Sequence, residues 1–151
     1  MNEGMNYRAI ITTSLLLLLS PASWGADLAG LWKQYDDSGT LSSLIRISER
    51  SSGLYDGMVE RIFPDPGEPA DPVCKNCTGE LHNKPVLGMR IIFGIKHKDA
   101  NTFDVGKIID PDNGKTYRCR IELALDGSKI KVNGSIGPAW LGRMEVWQRA
   151  E

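Results

Sequence analysis

Three cysteines and two histidines are all that the 151-residue chain offers for soft metal ligation or imidazole chemistry, so any such site would be small. The formal net charge is only −1, from 18 basic and 19 acidic side chains, which excludes the basic footprint that nucleic acid or an anionic lipid surface calls for. Aromatic residues make up 7% of the chain, and no amphipathic helical pattern of useful length interrupts it. What is present is ordinary: a hydrophobic share of 41% and 16 glycines, which argues for one globular domain and against disorder or a polytopic membrane protein.

The one long apolar run lies at the start. Arg8 precedes Ala9–Ile11 and the block Leu15–Leu19, a run too short to cross about 30 Å of hydrocarbon as a helix. Pro21 breaks it, and Ser23 and Gly25 put small residues at the −3 and −1 positions of a cleavage site ahead of Ala26. Residues 1–25 therefore read as a secretory signal peptide, and 26–151 as a single exported domain, periplasmic or secreted.

Within that domain a period of two dominates. Tyr117, Cys119, Ile121 and Leu123 alternate with Thr116, Arg118, Arg120 and Glu122, and Ile130, Val132, Gly134 and Ile136 alternate with Lys129, Lys131, Asn133 and Ser135. Asn113-Gly114 and Asp126-Gly127 supply the positive φ of tight turns between such runs. Further strands are predicted at 29–35, 42–49, 54–63, 88–96, 102–110 and 141–149. Eight antiparallel strands joined mainly by hairpins escape exposed edges by closing, so the expected fold is all-β, an eight-stranded up-and-down barrel. A β-sandwich is the alternative that alternation leaves open. Arg118, Arg120, Lys129 and Lys131 are expected on a solvated outer face.

Residues 64–87 depart from the meander, with Pro64, Pro66, Pro69, Pro72 and Pro85 around Cys74 and Cys77. A connection this long in a compact domain is usually functional or cross-linked. In an oxidising compartment Cys74 and Cys77 are expected to form a disulfide, although a bridge from either to Cys119 is also open. Thr78-Gly79-Glu80-Leu81 makes a poor helix, which argues against a thioredoxin-type redox site. Cys74, Cys77, His82 and Cys119 contain the donors of a Cys₃His zinc set, but Cys119 lies on the apolar face of its strand and a second Cys-x₂-Cys is lacking. Adjacent Asp36 and Asp37 point to opposite faces of a strand and read as turn residues. Asp110-Pro111-Asp112-Asn113-Gly114 likewise reads as a turn, without the distal Glu of a calcium loop. His82 falls in the long loop and His97 ahead of a turn at Lys98-Asp99, neither with an evident nucleophile, so no catalytic residues and no cofactor are expected. Trp140 reads as a packing residue at the barrel rim.

Gly30-Leu31-Trp32 near the start of the domain, with Arg149 near its end, is similar to the pairing in lipocalins and the wider calycin group, which implies that Trp32 closes the barrel floor and Arg149 packs over its ring. The domain as a whole resembles the exported bacterial family catalogued as domain of unknown function 2147. The matching residues are Gly30, Trp32, Asp37, Gly57, Cys74, Cys77, Pro85, Gly88, the stretch Gly106–Tyr117, Leu141-Gly142-Arg143 and Trp147-x-Arg149. That resemblance implies a lipocalin-like barrel and export, and no settled activity.

The expected function is accordingly a non-enzymatic exported barrel that binds a small, partly apolar molecule. Tyr117, Phe103, Val105, Ile121 and Val132 are the expected inward ligand-binding residues, and 64–87 the expected lid. Neither nucleic acid nor stable membrane insertion is expected. The alternatives are a structural or interaction protein of the cell envelope with a filled barrel, and a redox or metal protein built on the cysteines.

Overall fold

In the computed structural model, residues 27–137 and 142–150 are described. The expected signal peptide, and with it Trp140, lies outside them. Eight strands run in order: β1 Gly30–Tyr35, β2 Leu41–Glu49, β3 Leu54–Ile62, β4 Arg90–Asp99, β5 Thr102–Ile109, β6 Thr116–Leu123, β7 Lys129–Ser135 and β8 Gly142–Arg149. Each pairs antiparallel with its neighbour in sequence, and β1 pairs with β8, so the sheet is a closed barrel. The closing seam is short, pairing Trp32 with Arg149 and Lys33 with Gln148, and it joins the two strands that would otherwise be the edges of the meander.

Alternation places the core. On β6, Cys119, Ile121 and Leu123 are buried and Arg118 and Arg120 exposed, while on β7 Ile130 and Val132 are buried between exposed Lys129 and Lys131. The structure departs from the expected placement at Val105, Ile136 and His97. Val105 is 78% exposed, not inward: the β5–β6 register shifts between Phe103 and Gly106, and Val105 adopts φ +67° at that bulge. A bulge adds a residue to one strand and so reverses the facing of every later residue on it. Gly106 takes the inward place instead, and a Cβ there would come within 2.5 Å of Ile95 Cγ1, so only glycine fits. Ile136 is 53% exposed because β7 ends at Ser135 and the chain leaves the sheet. His97 belongs to β4, which runs on through Asp99, and its ring meets Phe103 edge-on at 5.0 Å.

The two ends of the barrel differ. At one, the connections are short (50–53, 100–101 and 124–128), and Trp32 and Trp147 are fully buried. The Arg149 guanidinium lies 4.2 Å from the centre of the Trp32 ring and donates to the carbonyls of Gly127 at 2.7 Å, Ala29 at 3.0 Å and Asp27. Trp32 Nε1 donates to Leu28 O at 3.0 Å. This is the floor that the resemblance implied, with indole and guanidinium sealing the tube. At the other end lie 36–40, 63–89 and 110–115, the rims of the candidate site.

Candidate functional site

The mouth opens into a cavity of about 560 Å³. Part of its wall is apolar, formed by buried Val59, Ile91, Ile109 and Val132 of β3, β4, β5 and β7. Pro64, Pro69, Pro72 and Val86 of the long connection roof it. Of the expected binding residues, Tyr117 and Val132 line this cavity. Phe103 and Ile121 do not; they are buried in the filled half, where Phe103 packs edge-to-face on Tyr55 at 5.2 Å. Val105 faces solvent.

A polar chain, not anticipated, runs along the wall between β1, β2 and β8. Ser43 Oγ donates to Gln34 Oε1 at 2.6 Å, and Gln34 Nε2 donates to Glu145 Oε2 at 3.0 Å. Trp147 Nε1 donates to the same carboxylate oxygen at 2.8 Å, and Arg143 Nε lies 3.2 Å from its partner oxygen. Arg143 also reaches Asp37 Oδ1 at 2.8 Å, which ties β8 to the first rim turn. The signal for this chain was in the sequence. Gln34 shares parity with Trp32, Ser43 with Ile45 and Ile47, and Glu145 with Trp147, so all three must face inward.

The roof is held by its own short ladder and by the disulfide Cys74–Cys77. Cys74 N–H donates to Lys84 O and Asn83 N–H to Cys74 O, both at 2.9 Å, and Val73 bridges Pro85. Both cysteines are buried, with Cys74 Sγ 3.2 Å from Pro111 O, and Asn76 Nδ2 donates to Asp112 O at 2.7 Å. Gly114, at φ +70°, lies so close beneath Asn76 that a Cβ would sit 2.0 Å from its carbonyl oxygen. The bridge thus pins the roof onto the rim turn 110–115. His82 belongs to this loop, donating from Nδ1 to Cys77 O and accepting at Nε2 from Asn83, each at 3.0 Å.

Asp36 and Asp110 are turn residues. Asp36 Oδ1 accepts from the Ser38 hydroxyl and from the N–H groups of Thr40 and Ser38, and those bonds, the hydroxyl's first, hold its carboxyl below the ordinary range. Asp110 accepts from Asp112 N–H at 2.9 Å and Asn113 Nδ2 at 2.8 Å. The carboxyl of Asp112 is pushed above its ordinary value, by desolvation in the mouth first and then by the charges of Asp110 and Glu68. Cys119 is a free thiol inside β6, and burial pushes it up to about 12. Among the described residues no three His, Cys, Asp or Glu side chains converge as metal ligands, and no helix is long and apolar enough to cross a membrane.

Comparison with known proteins agrees with this geometry. Residues 30–149 match the family described as "Uncharacterized protein conserved in bacteria (DUF2147)". The fold is similar to that of protein HP1028 from Helicobacter pylori, described as belonging to the lipocalin family. The TM-score is 0.71 at 17% identity, over 83% of this chain and 84% of that one. No curated protein matches the chain.

Proposed function

This chain belongs to the uncharacterised bacterial family DUF2147, and on that premise we propose that it is an exported, non-enzymatic carrier that binds a small, partly apolar molecule in the mouth of its barrel. The observation that carries the reading is the cavity of about 560 Å³, inside the range of small-molecule sites, with an apolar wall and a few placed polar groups. A barrel serving only as a structural element has no need of that space, since eight strands leave an interior that side chains can fill, as they do at the floor. The roof of 64–87, stapled by Cys74–Cys77, acts as the lid, and the disulfide suits an oxidising compartment.

The test uses the neutral apolar fluorophore N-phenyl-1-naphthylamine. Saturable one-to-one binding to the whole barrel is expected. Gly134 lines the cavity, and a Cβ there meets Ile108 and Tyr117 at an ordinary 3.5 Å, so Gly134→Phe adds a ring in the mouth. That variant should bind at least about tenfold more weakly while keeping the wild-type far-ultraviolet spectrum. Absence of saturable binding, or equal affinity in Gly134→Phe, would overturn the reading.

A further inference from the structure

We infer that the cavity selects a cationic amphiphile, a molecule with an apolar tail and an ammonium head, over its anionic or neutral counterparts. This rests on the reading of the cavity as a ligand site and adds the chemical class of the ligand. Two features of the same cavity carry it. Val59, Ile91, Ile109 and Val132 line it with hydrocarbon, and no buried side-chain polar atom among the described residues lacks a partner. The same lining carries seven carboxylates and one guanidinium, in a chain whose net charge is only −1. Acidic groups are therefore concentrated at this opening, and a low-dielectric cleft of one sign raises the local concentration of the opposite charge.

The carboxylates are not equally committed. Asp36 holds its turn, Asp110 accepts from its own rim loop, and Glu68 accepts from Asp65 N–H at 3.1 Å. Asp37 and Glu145 share Arg143, the one basic group of the lining. Asp65 and Asp112 have no hydrogen bond or ion pair to their carboxylates among the described residues. An arriving ammonium group would meet these two on the roof and the rim. The ring of Tyr117, whose hydroxyl is fixed by Asn113 Nδ2 at 3.0 Å, also lines the opening and offers a face for a cation. An anionic head would instead have to displace an acidic partner from Arg143, at a cost in both interactions.

The test is displacement of N-phenyl-1-naphthylamine by three probes of equal chain length, kept below micelle-forming concentrations: dodecyltrimethylammonium, dodecanol and dodecanoate. Dodecyltrimethylammonium should displace at least about tenfold more effectively than dodecanoate at low salt, with a narrower gap at high salt. The double variant Asp65→Asn/Asp112→Asn should reduce that preference at least about threefold, with dodecanol unchanged. Equal or stronger displacement by dodecanoate, or a preference unchanged in the double variant, overturns the inference and leaves the carrier reading intact. If none of the three displaces the fluorophore and the fluorophore itself does not bind, the carrier reading fails and the inference falls with it.

Discussion

The floor and the mouth are made from the same eight strands and differ in the connections that join the strand ends. At the floor the connections 50–53, 100–101 and 124–128 are tight, and the space between strand ends is taken by Trp32, Trp147, Phe103 and Ile121. Arg149 then ties three backbone carbonyls across the seam while covering the Trp32 ring. At the mouth the connection 63–89 is far longer, small side chains such as Ser43 and Gly134 leave space, and carboxylates join the lining. Stability and capacity are thereby assigned to opposite ends. A floor packed at crystal-like density tolerates little loss of volume, whereas the mouth already holds solvent-sized space and tolerates change.

The largest effect should come from breaking the floor. Trp32→Ala removes a fully buried indole, its bond to Leu28 O and the surface on which Arg149 lies. A loss of about 3–5 kcal/mol is expected from such a deletion, read from chemical denaturation as a fall in the midpoint. A loss below about 1 kcal/mol would show that the floor does not carry the fold, and the contrast between the two ends would collapse.

The legibility of the fold in the sequence divides along the same line. Alternation and the turn dipeptides place seven of the eight strands within one residue and β4 within three, because a half-buried strand writes its facing directly into residue order. The floor pair Trp32–Arg149 came from resemblance, since nothing in spacing alone brings residues 117 apart together. Val105 was misplaced because parity counting assumes unbroken register. The device that breaks it is a backbone N–H of Val105 accepted by Asp104 Oδ1 at 2.7 Å, ahead of a glycine that cannot be replaced. Gln34, Ser43 and Glu145 could have been found by carrying parity inward from Trp32, Ile45 and Trp147. The cavity itself could not, because its roof depends on how 63–89 folds back, and that path is set by the Cys74–Cys77 bridge and contacts to a rim turn far along the chain.

Breaking the mouth should cost less and change a different observable. Cys74→Ser/Cys77→Ser removes a short-loop constraint of about 2 kcal/mol on the entropic account and frees the roof from Pro111 and Asp112. The barrel should stay folded, with limited proteolysis appearing within 64–87 and fluorophore release accelerated. Global unfolding of the double variant at room temperature would mean that the roof is part of the barrel's stability, against the division drawn above.

The smallest effect concerns the filled half alone and appears only in alkali. Burial raises the Cys119 thiol from 9.0 to about 12, and burial together with the charges of Asp27 and Glu49 raises Tyr55 from 10.0 to about 12. For a group raised on folding, the unfolded chain loses its proton first. The stabilisation is therefore whole below the unfolded value and is lost as pH climbs from there towards the folded one. Thermal midpoints should start to fall above about pH 9, by the equivalent of about 1 kcal/mol near pH 10 from Cys119, with Tyr55 adding its share higher up. Cys119→Ala lowers stability at every pH by the volume it removes, so the comparison lies in the slopes: the variant should descend less steeply between about pH 9 and 10 and run parallel to wild type below that. Parallel curves throughout would mean that the thiol reaches water in the native barrel, and that the filled half is less tightly sealed than its connections suggest.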